Sequence, residues 1–176
     1  MTIVVTGAAG FIGSNFILNF LAYGEEKVIA LDKLTYAGNL ENLQSVESHP
    51  NYDFIQGDIG DSKRVAELLE VHQPRAIINF AAESHVDRSI QGPDDFMQTN
   101  IMGTFRLLEE VRSYYQALTD EDKQRFRFLH VSTDEVYGTL SSTDLAFKEE
   151  KRYEPNSPYS ASKAASDHLV RAWHRT

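Results

Sequence analysis

The chain of 176 residues contains no cysteine. Disulfides, thiolate nucleophiles and cysteine-ligated metal sites are thereby excluded, and the absence fits a cytoplasmic setting. No apolar run approaches the ~20 residues that span a bilayer. The start of the chain has no basic segment followed by an apolar signal core, because Thr2 to Thr6 already reads as a strand. A cytoplasmic protein with no membrane partner is expected. Positive charge is scarce: 17 Lys and Arg face 26 Asp and Glu, for a formal net charge of -9. That balance argues against general nucleic-acid binding through phosphate neutralisation. What is present is an ordinary globular composition, 41% hydrophobic and 24% charged, in a length suited to one cored domain.

Short β-branched runs alternating with helical patterns predict an α/β class, a doubly wound parallel sheet of the Rossmann type. Ile3-Val4-Val5 leads into Gly7-Ala8-Ala9-Gly10-Phe11-Ile12-Gly13, then into Phe16, Ile17, Phe20 and Leu21 at helical spacing. A glycine turn there lets the backbone approach a pyrophosphate, whose charge the unpaired amides and dipole of the helix N-terminus favour. The spacing is GxxGxxG rather than GxGxxG, and a tight turn without ligand is the alternative reading. Asp32 follows the second strand, Lys27 to Leu31, about 20 residues beyond the last glycine, where a carboxylate suits an adenosine ribose and repels a 2′-phosphate. NAD is therefore expected over NADP.

Tyr52 to Ile55 predicts a third strand. Asp58 and Ile59 beyond it suit the edge and face of an adenine, or else Asp58 or Asp61 caps the next helix, with Val65, Leu68, Leu69 and His72 on one face. Ala76 to Phe80 is a fourth, continuously apolar strand. After it, Ala81 and Ala82 are small enough to admit a cofactor, and the polar run Glu83 to Ser89 suits a substrate pocket. His85 and Asp87 have no further clustered ligand, so no metal site is expected. A helix over about Phe96 to Leu118 and a strand over Phe126 to Val131 complete the pattern. The expected strand order is 3-2-1-4-5, with a crevice between strands 1 and 4.

Ser132-Thr133-Asp134-Glu135 then follows, either as a simple strand terminator or as a hydroxyl and two adjacent carboxylates at the crevice. Thr139 to Asn156 is charged and without period, as a flap would be. Ser157-Pro158 opens a last helix with Tyr159 and Lys163 one turn apart and Ala165, Leu169, Ala172 and Trp173 as its packing stripe. A tyrosine near its reference pKa of about 10 is a poor base. A lysine ammonium one turn away would stabilise the phenolate, so that Tyr159 takes a hydroxyl proton while NAD takes the carbinol hydride and Thr133 holds the same oxygen. By spacing alone the pair reads as well as a solvated helix face.

The segments TGAAGFIG, DKLTYAGN, AAESHVDRS, VSTDEVYG and SPYSASK, in this order and spread over essentially the entire chain, resemble the extended short-chain dehydrogenase/reductase superfamily and within it the sugar-nucleotide 4,6-dehydratases. The resemblance implies NAD contacts from Phe11, Ile12, Asp32, Lys33, Leu34 and Thr35, besides Gly7, Gly10 and Gly13. It adds Asp58, Ile59, Phe80, Ala81, Ala82, Glu83, Ser84, Thr99, Tyr159 and Lys163, and places Ser84 and Thr133 near the sugar nucleotide, with His85 and Asp87 in the same polar run. It implies a hydro-lyase acting on a nucleotide sugar, with dTDP-glucose expected, in deoxysugar synthesis for a cell-surface polymer.

By the same resemblance, Thr133, Tyr159 and Lys163 oxidise sugar C4. Glu135 then removes the C5 proton, and Asp134 protonates the departing C6 hydroxyl. A sugar-nucleotide 4-epimerase would use Thr133, Tyr159 and Lys163 without needing the two carboxylates, and an NAD-binding module without turnover is the third reading. Superfamily members extend well beyond this length. Residues 1–176 are accordingly expected to be an NAD-binding domain lacking the last strands and the C-terminal substrate part, inactive alone. A homodimer through the helices at 96–118 and 158–174 is the implied assembly.

Overall fold

A computed structural model describes residues 1–176 and divides the chain into two compact units. One comprises Met1–Ala81 with Arg106–Val131, the other Ala82–Phe105 with Ser132–Thr176.

The first unit is built on a five-stranded parallel sheet in the order β3-β2-β1-β4-β5, as the sequence pattern predicts. Its strands are β1 (Thr2–Thr6), β2 (Lys27–Asp32), β3 (Tyr52–Gln56), β4 (Ala76–Asn79) and β5 (Arg127–His130). Thr6 pairs with Leu31 on one side and with Asn79 on the other, and Asn79 with His130, so the three central C-terminal ends lie level. Alternate residues of the central strands feed two cores, which is why these strands read as unbroken apolar runs. Ile3, Val5, Val28, Ala30 and Ile78 pack with Ile17 and Leu21 of α1 (Phe11–Tyr23). On the other face Val4, Ile29, Leu31 and Ile77 pack with Val65, Leu68 and Leu69 of α2 (Ser62–His72) and with Leu107 and Val111 of α5 (Thr104–Ala117). Burying so much aliphatic area at roughly 25 cal/mol per Å² is what fixes the strand register.

Several boundaries differ from the sequence pattern. β5 is shorter than the apolar run Phe126 to Val131, and within it Arg127 faces out and Leu129 is 54% exposed. Leu40–Val46 forms a 3-10 helix that has no apolar period to announce it, capped by the Asn39 side chain accepting from Glu41 N. The polar stretch Thr119 to Arg125 also becomes a helix, α6 (Asp120–Arg125), because Thr119 caps Asp122 N and three acids occupy the first turn.

The helix expected over Phe96 to Leu118 is not uniform. α4 (Asp94–Phe96) passes into a π-helical stretch, Met97–Gly103, before α5 begins. A π turn widens the helix, and here it carries the buried Asn100. Asn100 belongs to the second unit, which also holds α3 (Val86–Gln91), a 3-10 turn at Asp134–Tyr137 and α7 (Pro158–Arg175). α7 starts where the sequence predicts, with a reciprocal capping box between Ser157 and Ser160 and Pro158 in the first turn. Its buried face differs from the predicted stripe. Tyr159, Ser160, Ser162, Lys163, Ala164 and Ser166 are buried, whereas Ala172 is exposed. Small hydroxyl residues can turn inward because Ser162 and Ser166 donate to the backbone carbonyls of Tyr159 and Lys163.

Candidate active site

Within the first unit the glycine turn is held by close backbone approach. Gly7 has φ 63°, and a Cβ there would lie 2.6 Å from Ala81 N and 2.7 Å from the Phe80 carbonyl carbon. The residues after β4 thus rest directly on the turn after β1. A Cβ on Gly13 would meet the Gly7 carbonyl oxygen at 2.2 Å. Gly10 is the N-cap of α1 and has no side-chain cap, and the first turn carries no acid. The positive end of this 13-residue helix is therefore left uncompensated by side chains, an arrangement that accepts a phosphate. Phe11 and Ile12 stand 82% and 59% exposed in that turn.

Asp32 ends β2 and is nearly buried. Its Oδ2 accepts from Ala9 N at 2.9 Å and its Oδ1 from Leu34 N at 2.7 Å, with Leu34 in the left-handed region at φ 58°. The carboxylate therefore locks the glycine turn to the loop that carries Lys33, Leu34 and exposed Thr35. Lys33 pairs with Asp58 at 2.7 Å, and Asp58 also accepts from Gly60 N at 2.8 Å. Burial pushes the Asp58 carboxyl up. The Lys33 and Gly60 hydrogen bonds and the charges of Lys33 and Arg106 outweigh it and hold the group below its ordinary value. Asp61, not Asp58, caps α2, by accepting from Arg64 N; Ile59 is buried between them.

In the second unit the expected chemical residues converge on α7. Thr133 caps the 3-10 turn by accepting from Glu135 N at 3.3 Å, and its hydroxyl hydrogen-bonds the Tyr159 phenol. Burial raises the Tyr159 pKa. Thr133 opposes that rise, while the charges of Glu135, Asp134 and Asp167 add to it. Lys163 is 4% exposed, and burial lowers its pKa against the upward pull of Asp167. Spacing alone predicts a tyrosine eased toward the phenolate by its lysine. In this fold desolvation and three carboxylates dominate instead. Burial, then the charge of Asp134, raises the Glu135 carboxyl, which makes it a stronger base than an exposed glutamate.

The remaining expected residues are dispersed over the second unit. Ala82 and Glu83 are half-buried, and Glu83 is gripped on both backbone groups by Asn100, which accepts from its N–H at 2.8 Å and donates to its carbonyl at 2.9 Å. Ser84 and His85 are exposed, His85 is the N-cap of α3 and Asp87 lies in that helix's first turn. Thr99 is half-buried on the π-helical stretch.

Sequence reasoning missed the residues that hold the others. Asn100 also donates to Ser162 Oγ at 2.8 Å, and Ser89 Oγ accepts from Tyr159 N at 3.2 Å. Asp167 accepts from Ser132 and Tyr153. Only Asp167 left a readable signal, its position one further turn along from Tyr159 and Lys163.

A glycine turn on a helix N-terminus and a Tyr-Lys helix answered by a Thr-Asp-Glu turn define a class, and residues 4–176 match the family model described as GDP-mannose 4,6 dehydratase; the chain belongs to that family. More particularly, it is 61% identical over 175 residues to a dTDP-glucose 4,6-dehydratase of Xanthomonas campestris pv. campestris (strain B100), covering 99% of this chain and 49% of that relative. It is 54% identical to the dTDP-glucose 4,6-dehydratase of Escherichia coli, covering all of this chain and 51% of the relative. The chain spans about half the length of the curated relatives it matches.

Among solved structures, a dTDP-glucose 4,6-dehydratase from Streptomyces venezuelae with NAD bound superposes at TM-score 0.89 and 46% identity, over 100% of this chain and 52% of that one. A UDP-glucose 4-epimerase from Thermotoga maritima superposes at TM-score 0.83 and 29% identity, over 99% of this chain and 52% of that one. No helix is long and apolar enough to cross a membrane.

Proposed function

We propose that these residues form the cofactor-binding and chemical part of an NAD-dependent dTDP-glucose 4,6-dehydratase that operates in the natural full-length protein. The observation that carries the reading is the joining, within one unit, of an oxidation pair and an acid-base pair: the Thr133 hydroxyl that hydrogen-bonds the Tyr159 phenol also caps the 3-10 turn that carries Asp134 and Glu135, accepting from Glu135 N at 3.3 Å. Epimerisation at C4 needs only the first pair.

The residues fit NAD. The turn in which Gly7 and Gly13 admit no Cβ, the uncapped start of α1 and the buried Asp32 carboxylate suit a dinucleotide without a 2′-phosphate. NAD held there would supply a hydride acceptor for sugar C4 and the hydride donor for C6. Tyr159, as phenolate, removes the C4 hydroxyl proton, with Thr133 orienting that oxygen and the Lys163 ammonium favouring the charged phenol. The resulting ketone acidifies C5–H, which Glu135 removes. Asp134 gives its proton to the C6 hydroxyl, which leaves as water, and Glu135 returns its proton to C5 as C6 is reduced. The product is the 4-keto-6-deoxy sugar with no net redox change. A cytoplasmic location and a homodimer through the helices at 96–118 and 158–174, where Met102 and Ala161 are exposed, belong to the same proposal.

The test incubates the full-length protein and NAD with dTDP-glucose and, separately, UDP-glucose. A keto sugar from dTDP-glucose supports the reading, and a galactose epimer refutes it. Asp134→Asn combined with Glu135→Gln should lower keto-deoxy product at least ~100-fold while reduced-nicotinamide absorbance still appears on adding the sugar. Loss of NAD binding in that variant would make the two carboxylates structural.

A further inference from the structure

We propose that Asp167 is a positioning residue of this site, whose carboxylate ties both the Ser132-Thr133 stretch and the irregular segment 138–157 to the face of α7 that carries Tyr159 and Lys163. The inference rests on the roles proposed above for Thr133, Tyr159 and Lys163. Asp167 lies one helical turn beyond Lys163 and two beyond Tyr159, so the three share a face. Its Oδ2 accepts from Ser132 Oγ at 2.5 Å and from Tyr153 OH at 3.0 Å. Ser132 immediately precedes Thr133, which in turn reaches Tyr159. Two consecutive residues after β5 are therefore anchored to α7 at positions two turns apart. A slip of the Thr133 hydroxyl along the helix would break both ties together.

Tyr153 extends the anchor. Its ring meets Tyr137 at 5.4 Å and His168 at 5.4 Å, and Tyr137 in turn meets Phe147 at 5.6 Å. Glu154 N donates to Val136 O at 2.9 Å, closing the segment back on the 3-10 turn. The segment expected as a flap is thus fastened through a carboxylate on the helix of the proposed base.

The charge has a second effect. A nearly buried ammonium is costly without an anion nearby, and Asp167 supports the charged form of Lys163. The same charge opposes the phenolates of Tyr159 and Tyr153. The other titratable and charged groups around this face are Asp134 and Glu135 on the 3-10 turn, Tyr137 at its end, and His168 and Arg171 on α7. Removing the Asp167 charge therefore lowers the pKa of Tyr159 and of Lys163 alike.

The experiment uses the full-length protein with Asp167→Asn, Asp167→Glu and Ser132→Ala. For Asp167→Asn, kcat should fall about 10- to 100-fold, the loss expected for a charge-assisted hydrogen bond, with KM for the sugar nucleotide within about twofold. Both limbs of its pH profile should move to lower pH. Asp167→Glu should recover part of kcat with the limbs back in place, and Ser132→Ala should lower kcat without moving them. A merely structural role would lower kcat equally in the Asn and Glu variants with the limbs unmoved, and that result overturns the proposal, as does wild-type kcat in Ser132→Ala.

A readout independent of turnover accompanies it. Tyrosinate absorbance is titrated in a Tyr153→Phe background, with the Tyr153→Phe, Tyr159→Phe spectrum subtracted to isolate Tyr159. Asp167→Asn should move that titration to lower pH, and an unmoved titration overturns the proposal even in a protein that makes no keto sugar. Absence of keto sugar from the wild type refutes the dehydratase reading alone.

Discussion

Replacing each glycine of the GxxGxxG turn by alanine, one at a time, separates two physical reasons for glycine that the motif merges, left-handed backbone and close approach. At Gly7 the backbone is left-handed at φ 63°, which costs an L side chain about 1–2 kcal/mol. The new methyl would also lie within 3 Å of three backbone atoms, Ala81 N, the Phe80 carbonyl carbon and Ala81 Cα. Because none of these belongs to a flexible side chain, overpacking adds about 1–3 kcal/mol. The stiffer unfolded chain returns about 0.4–1 kcal/mol, leaving a net loss near 2–4 kcal/mol.

At Gly13 the backbone is helical and alanine is intrinsically better by about 1 kcal/mol. Its Cβ, however, would sit 2.2 Å from the Gly7 oxygen, so α1 must move off the turn, and overpacking of about 1–3 kcal/mol less that gain leaves a net loss of up to about 2 kcal/mol. Gly10 has φ -72°, and its Cβ would meet only the Gly7 oxygen, at 3.3 Å; alanine there should cost under about 1 kcal/mol. Urea unfolding followed by circular dichroism, with unchanged slope, measures all three. If Gly7→Ala unfolds at the wild-type midpoint, or Gly10→Ala is the most damaging, the close-approach reasoning is wrong.

Two further predictions concern pH. Arg75 binds both oxygens of Glu26 at 2.6 Å, and its hydrogen bonds hold the Glu26 carboxyl below its ordinary value of 4.5. The pair's stabilisation is thus complete above the unfolded value and disappears as pH falls through the lower folded one. Glu26→Gln should cost about 1 kcal/mol at neutral pH, a figure already reduced for the part-exposed setting, and nothing in strong acid, by urea midpoints at both pH values. Glu135 is the opposite case. Its folded value is raised, so its charge weakens the fold once pH rises through that window. Glu135→Gln should therefore stabilise by roughly 0.5 kcal/mol at neutral pH and leave stability unchanged well below pH 4.5. A destabilised variant at neutral pH would show that the carboxylate has a structural partner.

Strand order was legible because it depends on long-range rules, namely apolar runs covered on both faces and right-handed crossovers, which few substitutions blur. The start of α7 was legible because Ser157 and Pro158 carry local capping chemistry. Less was visible where an element depends on a partner remote in sequence. The π-helical stretch goes with Asn100 reaching Glu83 and Ser162, and nothing in Met97 to Gly103 announces those partners. Tyr159 and Lys163 were legible as a pair by spacing, but the direction in which their protons shift was not. It follows from burial and from carboxylates contributed by other segments.

The two units therefore hold their candidate site residues by different means. In the first, Gly7, Gly13 and Asp32 are held by backbone: carbonyls, amides and strand ends whose positions follow from sheet register. Such a turn tolerates many side chains around it but not an added Cβ, so damage there registers first as lost stability. In the second, Thr133 and Tyr159 are placed by side-chain hydrogen bonds through Asn100, Ser162, Ser89 and Asp167. Each of those bonds contributes only about 1 kcal/mol to folding, and a shift of about 1 Å at a reacting group costs about 100-fold in rate. Substitution of exposed Ser132 should accordingly leave the unfolding midpoint nearly unchanged while turnover falls, whereas loss of buried Asn100, which leaves three hydrogen bonds unmade, should lower stability as well as turnover.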